Sequence, residues 1–282
     1  MNEQELEQAL AGALEAARLG SDRVMAGWDH SFEFHKKGVV DLVTRFDRES
    51  ERAIVGFLAE RFPDDGVVAE EGGPTKRTGT RVWYVDPLDG TTNFVHGLPL
   101  FGVSVGLVLD DVPQVGVVQV PALGWTFAAR RGGGATWNGR PMRASAVDEM
   151  DSALSVTGFP YSRRSQADRL GRFVSHFLTR AQGLRRLGAA ALDLCFVARG
   201  WIDVYWESEL KPWDLAAGIV ICEEAGGAVT DWKGGPASSA LFSGQVAASN
   251  GRLHEDLLGV LAEMTVGESL PGGGASTAPG DG

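Results

Sequence analysis

The order of apolar and polar positions along this chain predicts helices and strands in alternation, with no internal repeat. Leu6, Leu10, Leu14, Ala17 and Val24 stand at helical spacing and predict a helix over residues 3–27. A second helix is expected from about Arg48 to Arg61, with Ala53, Ile54, Phe57 and Leu58 on its apolar face. Pro63-Asp64-Asp65-Gly66 reads as a turn and Val67-Val68-Ala69 as a short buried strand. Residues 101–130 read as β through "FGVSVGLVL", "VGVVQVPALG" and "WTFAAR", and Gly132, Gly133, Gly134 and Asn138-Gly139 supply tight turns. Strands are then expected at "ALSVTG", "LRRLG" and "DVYW". They alternate with helices over about 165–180, over "AAALDLCFVARG" and over "PWDLAAGIVICEEAGG". A last strand and helix lie near 246–264. Strands interleaved with helices in this way indicate a layered α/β architecture. The ending "PGGGASTAPGDG" is rich in Gly, Pro, Ser and Thr and is expected to be disordered.

Composition narrows the function classes. A chain of 282 residues, 44% hydrophobic and 22% charged, holds ample material for a core in one large domain or two fused layers. The net charge of −11 argues against a grip on duplex nucleic acid, which needs a basic stripe. An acidic excess suits a protein that gathers carboxylates around cations, and it equally suits a merely soluble surface. The start "MNEQELEQALAGALEAARLG" lacks a basic segment followed by an apolar one, so no signal peptide is expected. No window approaches 18 uninterrupted apolar residues, which argues against a membrane span. Cys195 and Cys222 lie in apolar contexts without metal-ligand spacing and are expected to be reduced and buried. A soluble, cytoplasmic protein is the expectation.

The candidate chemistry concentrates in "RVWYVDPLDGTTNFVHGLP", residues 81–99. An apolar run breaks off into Asp86 and Asp89, separated by Pro87 and Leu88. Pro87 disfavours the helical region for Asp86, so the strand is expected to end there in a turn. Such a turn can aim both carboxylates and the Leu88 carbonyl at one point, a start on a hard-cation site. The same residues are also good turn and cap chemistry, and on their own they leave both readings open. Further acids follow a buried strand at Glu70-Glu71, and Asp214 lies two residues beyond Pro212, a suitable first helical residue. Asp214 also suits the helix dipole. Lys36, Asp41, Thr44 and Asp47 precede the second helix, where Thr44 or Asp47 is a natural N-cap.

Together these stretches resemble the inositol monophosphatase family, within the metal-dependent, lithium-sensitive sugar phosphatases. "WYVDPLDGTTNFVHGLP" and "PWDLAAGIVICEEAGG", followed by "GAVTDWKGGP", carry the resemblance over roughly residues 5–265. "VDLVTRFD", "AEEGG" and "GAAALDLCFVARGWIDVYWE" fill the intervals in order. The resemblance implies an αβαβα sandwich of the inositol monophosphatase and fructose-1,6-bisphosphatase type, in one catalytic domain over 1–268. Its two sub-layers would meet near 145–155, with residues 269–282 as a disordered tail. It implies a homodimer that hydrolyses a small phosphate monoester, myo-inositol 1-phosphate, using two or three Mg²⁺ ions. Glu70, Asp86 and the Leu88 carbonyl would hold the activating ion. Asp86, Asp89 and Asp214 would hold a second, and Glu70 would share a third through waters. Thr91, Glu70 and Asp47 would orient and deprotonate the attacking water, and the N–H groups of Gly90 and Thr91 would grip phosphate oxygens. Asp89, Gly188, Ala189, Ala190 and Glu207 would meet the substrate hydroxyls, and Lys36 would hydrogen-bond a water of the metal site. Ala189 departs from the animal enzymes, where threonine is usual, and moves the pattern toward the bacterial and archaeal branches.

Two alternatives accompany this reading. One is a histidinol-phosphate, fructose-1,6-bisphosphate or broad sugar-phosphate phosphatase, which shares Glu207 and "SELKPWD". The other, of a different class, is a binding protein of transcription complexes with dispensable catalysis. The acidic surface argues against direct nucleic-acid contact in either case.

Overall fold

The computed structural model describes residues 1–28, 34–36, 42–76 and 80–265. Helix α1 (Glu3–Met25) opens on a reciprocal cap, in which the Asn2 side chain accepts the Glu5 N–H at 2.9 Å and the Glu5 carboxylate accepts the Asn2 N–H at 2.7 Å. A short antiparallel pair, β1 (Phe34–Lys36) and β2 (Leu42–Thr44), leads into α2 (Arg45–Arg61). That helix starts at Arg45 rather than Arg48, because Thr44 caps it and Asp47 closes the box on the Thr44 N–H at 2.8 Å. Phe46 is the one apolar residue of this first turn, so the cap rather than the apolar pattern marks the start.

Strands β3 (Gly66–Ala69), β4 (Gly73–Lys76) and β5 (Arg81–Asp89) precede the one-turn helix α3 (Thr91–Val95). Then follow β6 (Gly102–Leu109), β7 (Val112–Val120), β8 (Trp125–Arg130), β9 (Gly134–Trp137) and β10 (Arg140–Pro141). These strands form an eight-stranded sheet in the order β10-β9-β8-β7-β6-β5-β3-β4, with β3 parallel to β5 and the other neighbours antiparallel. Beyond it come β11 (Leu154–Thr157), α4 (Ala167–Leu178), β12 (Gly183–Arg185), α5 (Ala190–Arg199), β13 (Val204–Glu207) and α6 (Pro212–Glu224). The chain closes with β14 (Ala228–Thr230), α7 (Ala237–Ser243), β15 (Val246–Ser249) and α8 (His254–Thr265). The second sheet has the order β12-β11-β13-β15-β14.

Strand period sorts the core into layers. On β5, Trp83 and Val85 pack with α1 and α2, whereas Val82 and Tyr84 face the cluster built on α5 and α6. On β13, Tyr205 joins that same central cluster, while Val204 and Trp206 pack with Phe173 and Phe177 of α4 and Leu257 and Leu261 of α8. Helices therefore cover both outer faces and fill the space between the sheets, the expected αβαβα sandwich. Among the described residues, no helix is long and apolar enough to cross a membrane, and both cysteines are buried free thiols.

The central layer is held by close backbone approach. A Cβ on Gly116 of β7 would fall 2.3 Å from the Ala217 carbonyl oxygen of α6, and one on Gly106 of β6 would fall 2.7 Å from the Ala217 nitrogen. Gly56 of α2, by contrast, has nothing within 4 Å of its added Cβ. We expect Gly116→Ala to cost about 3 kcal/mol by overpacking. Gly56→Ala should stabilise the protein by about 1 kcal/mol through helix propensity. Urea unfolding of the two variants checks both signs, and equal midpoints would refute the backbone-contact account.

One expectation at the site's entrance is corrected. The strand does not stop at Asp86: β5 runs on to Asp89, with a ladder irregularity against β6 between Asp86 and Asp89. Pro87 lies inside that irregularity, where its missing N–H costs no ladder bond. The Leu88 N–H instead donates to Asp86 Oδ1 at 3.0 Å, and Ser50 Oγ of α2 donates to the Pro87 carbonyl at 2.9 Å.

Candidate active site

The bulge that ends β5 faces a cavity of about 490 Å³. Segments far apart in sequence reach it: Glu70 after β3, Asp86 to Thr91 at the bulge and α3, Gly188 to Ala190 at the start of α5, Glu207 ending β13, and Asp214 in the first turn of α6. This brings together ten of the site residues expected from the sequence, along with the Leu88 backbone. Asp47 stands just behind the cavity in α2. Lys36 lies on β1 with a side chain outside the described residues, and Asp41 lies outside them altogether.

The acids raise one another's proton affinity. Burial first, then the charges of Glu70, Asp89 and Asp214, push the Asp86 carboxyl well above the ordinary aspartate value. Asp214 moves the same way through burial and the charges of Glu70, Asp89 and Glu207, although the Lys211 N–H opposes the shift. Burial takes Asp89 up to about 6, against the pull of the Ala191, Ala190 and Leu192 N–H groups and of Arg186. So many carboxylates turned on one cavity are stable as anions only beside compensating positive charge.

Their donors suit a hard divalent cation, since carboxylates and a carbonyl are all-oxygen ligands. Glu70, Asp86, Asp89, Asp214 and the Leu88 carbonyl could hold such ions. Among the described residues, no three acidic side chains stand in finished ligand geometry. The three aspartates are instead turned to backbone donors: Asp86 to Leu88, Asp89 to Ala190 at 3.1 Å and Ala191 at 2.8 Å, and Asp214 to Lys211 at 2.7 Å. Asp89 thus caps α5 from across the cavity. The residue in the N-cap position, Ala189, has no side chain able to do so.

Thr91 links the acids to α2. Its Oγ lies 3.1 Å from Asp47 Oδ1 and 3.0 Å from the Leu88 carbonyl, so its single proton serves one of them at a time. Asp47 is fixed in turn by the Thr44 N–H at 2.8 Å and hydroxyl at 2.5 Å. Gly90 takes φ = 85° and brings the chain within reach of the Leu100 carbonyl, where a Cβ would stand only 3.0 Å away. On the opposite wall, Tyr205 Oη donates to Glu207 Oε2 at 2.8 Å. Burial lifts Glu207 to about 7, although Tyr205 and Arg186 both pull it down.

Several supporting residues escaped the sequence reading. Ser50 and Glu51, neighbours on α2, brace the two acidic loops, Ser50 at Pro87 and Glu51 by accepting the Glu71 N–H at 2.7 Å. The Asn93 amide holds the Leu100 carbonyl at 2.6 Å and the Leu187 carbonyl at 2.8 Å, which joins α3 to the loop before α5. Asp193, fully buried in α5, is pushed well above its ordinary value by burial and by the charges of Glu207 and Asp89. The buried polar side chain at Asp193, inside an otherwise apolar helix, was the one signal the sequence offered for any of these.

Comparison with known proteins identifies the family. The model of the inositol monophosphatase family matches residues 5–265. The inositol-1-monophosphatase of Synechocystis is 40% identical over 260 residues, which covers 92% of this chain and 90% of that protein. The Thermotoga maritima protein named fructose-1,6-bisphosphatase/inositol-1-monophosphatase is 39% identical over 242 residues, covering 86% and 91%. The solved inositol monophosphatase of Anabaena superposes with a TM-score of 0.83 at 38% identity, over 92% of this chain and 97% of that one. By its sequence, its αβαβα fold and its matched structures, the chain belongs to the inositol monophosphatase family and is a phosphatase.

Proposed function

We propose that the protein hydrolyses inositol monophosphate, converting myo-inositol 1-phosphate and water to myo-inositol and phosphate. The observation that carries this reading is the convergence of Glu70, Asp86, Asp89 and Asp214, from distant segments, on one cavity that Gly188 to Ala190 and Glu207 also line. Glu70, Asp86, the Leu88 carbonyl, Asp89 and Asp214 would hold two or three Mg²⁺ ions. When bound, these ions would supply charge neutralisation for the phosphoryl oxygens and acidify the attacking water. The chain's own groups then position the reaction. Gly90 and Thr91 present N–H groups to the phosphate, and the Thr91 hydroxyl, with Asp47 and Glu70 behind it, orients the water and receives its proton. As the water oxygen bonds to phosphorus, the ester P–O bond breaks with its electron pair going to the polyol oxygen, which takes up a proton from solvent water to leave as the alcohol. Phosphoryl transfer needs positioning and charge more than a covalent nucleophile, which suits a cavity wall of carboxylates and backbone N–H groups.

The test is phosphate release at fixed Mg²⁺, with and without EDTA, from myo-inositol 1-phosphate, histidinol phosphate and adenosine 2′-monophosphate. A kcat/KM preference for the inositol ester, abolished by EDTA, is expected. Equal rates across the panel would overturn the substrate, and EDTA-resistant hydrolysis would overturn the metal.

Glu207 adds a pH dependence. With its carboxyl at about 7, it is protonated in the folded protein below that pH and becomes a two-oxygen acceptor for substrate hydroxyls above it. KM for the inositol ester should therefore fall as pH rises through about 7, and Glu207→Gln should remove that limb of the profile. Stability moves oppositely, because the folded state binds this proton more tightly than the unfolded one. The contribution is lost between the ordinary glutamate value of 4.5 and about 7. A pH-independent KM between 6 and 8 would contradict the assignment.

A further inference from the structure

Among the described residues, four that are not glycine take positive φ. Asp110 and Asp111 do so between β6 and β7, and Asn138 between β9 and β10, and Asp and Asn are the side chains that tolerate this region. Glu209, at φ = 65°, is the exception. It stands at the corner between β13 and α6, so the strained residue separates Glu207 from Asp214. Strain of this kind persists only where surrounding contacts over-determine it.

The contacts that hold Glu209 come from another segment. Its carboxylate accepts from Ser162 Oγ at 2.7 Å and from Gln166 Nε2 at 2.5 Å, and Ser162 Oγ accepts from Gln166 Nε2 at 2.6 Å. Ser162 and Gln166 belong to the turn after β11, and none of Tyr161 to Arg164 is buried. The backbone bonds of this turn are local, from the Arg163 N–H to the Pro160 carbonyl at 2.9 Å and from the Ser165 N–H to the Ser162 carbonyl at 3.0 Å. Apolar burial therefore does not fix it. Gln166 holds the N-cap position of α4, yet its amide turns to Glu209 rather than to the helix. Its Oε1 accepts from Arg169 at 3.2 Å, and Arg169 lies 4.5 Å from the ring centre of Phe173, a fully buried core residue. The polar chain thus runs from the β13–α6 corner through the turn to the core beneath α4. Tyr161, Arg163 and Glu209 line the same cavity as Glu207 and Asp214.

We infer that Glu209 is a positioning residue, which clamps Ser162 and Gln166 so that the 161–166 turn stands as a preformed part of the cavity wall. A wall already ordered need not be ordered by the substrate, so the clamp acts on binding more than on the chemical step. The inference rests on the phosphatase reading and adds to it how one side of the cavity is kept in place.

The test joins kinetics to limited proteolysis in the Mg²⁺-loaded full chain. KM and kcat are measured for whichever ester of the panel above the wild type hydrolyses fastest, and trypsin cleavage is followed after Arg163 and Arg164. Glu209→Gly should raise KM by about fivefold while lowering kcat less, since an exposed hydrogen bond to a charged group is worth somewhat under the tenfold of a buried one. Trypsin should cut the turn about tenfold faster, because cleavage follows the population of the opened state. The melting temperature should stay near that of the wild type, as glycine relieves the left-handed strain while the clamp is lost. Gln166→Ala, which breaks the clamp from its other side and leaves the strain in place, should show the same KM and trypsin effects with a lower melting temperature. Glu209→Gln keeps one acceptor oxygen and should restore part of both effects. Wild-type KM and cleavage rate in Glu209→Gly overturn the inference. Faster cleavage with an unchanged KM overturns the turn's part in the wall, and a raised KM with unchanged cleavage means that the carboxylate meets the substrate directly. If the fastest ester is not the inositol one, the substrate reading fails while the clamp is still decided, which separates the two failures.

Discussion

Asp89→Asn should slow phosphate release by about a thousandfold or more while the protein still melts near the wild-type temperature. The kinetic loss follows from the position of the residue. Asp89 is the acid that faces both the cavity and the start of α5, and a ligand that shapes charge stabilisation in phosphoryl transfer is worth at least 10²–10³ in rate. The stability effect is a near-cancellation. The asparagine keeps one oxygen for the α5 N–H groups and gives up the other, a loss of about 1 kcal/mol. Against that, it removes one of the charges that drive Asp86 and Asp214 upward, which relieves the folded state. Activity and thermal melting measured on the same preparation separate these effects. Wild-type turnover in the variant would end the assignment of Asp89 to the ion site. A collapse in melting temperature would make it chiefly a cap for α5.

How much of this was legible beforehand depends on the range of the interactions. The helix α1, the run of strands from β6 to β8 and the central helices α5 and α6 were readable because their apolar spacing is local. The acids were readable as candidates because Asp86 and Asp89 interrupt a buried strand, which no core would tolerate without a purpose. Their convergence was not readable from spacing, since Glu70 reaches the cavity through the parallel pairing of β3 with β5, and Asp214 through the packing of α6 from the central layer. The start of α2 was announced by the Thr44 cap but not by the apolar pattern, because Phe46 is the one apolar residue in its first turn. The strand through Pro87 was cut short because a local rule about the residue before proline takes no account of Ser50, which reaches over from α2 to fix that peptide. The braces at Glu51 and Asn93 had no local signal at all, because each bonds a backbone group 20 or more residues away or on another element.

The second large effect is thermodynamic. In EDTA, Asp86→Asn should be more stable than the wild type, and Mg²⁺ should reverse that order. Without a cation, Asp86 is buried at 3% exposure among Glu70, Asp89 and Asp214, and all of these charges oppose its ionisation. Its folded proton affinity, and that of Asp214, lies above the ordinary aspartate value. The folded protein therefore binds these protons more tightly than the unfolded chain, and in EDTA stability falls as pH rises from the ordinary aspartate range of about 4. A divalent ion held by the same carboxylates changes the sign, because it binds the ionised form and competes with the protons. At about a hundred times its Kd, such an ion adds about 2.7 kcal/mol to the folded state. For a domain of this size, that is a rise of roughly 5–10 °C in Tm. The asparagine variant lacks one charge of the set and should gain little of this. Four melting curves, wild type and variant in EDTA and in Mg²⁺, decide the matter. If the wild type gains nothing with Mg²⁺, the carboxylates are not an ion site. If the variant gains as much as the wild type, the ion sits elsewhere and Asp86 serves only the bulge through its bond to the Leu88 N–H.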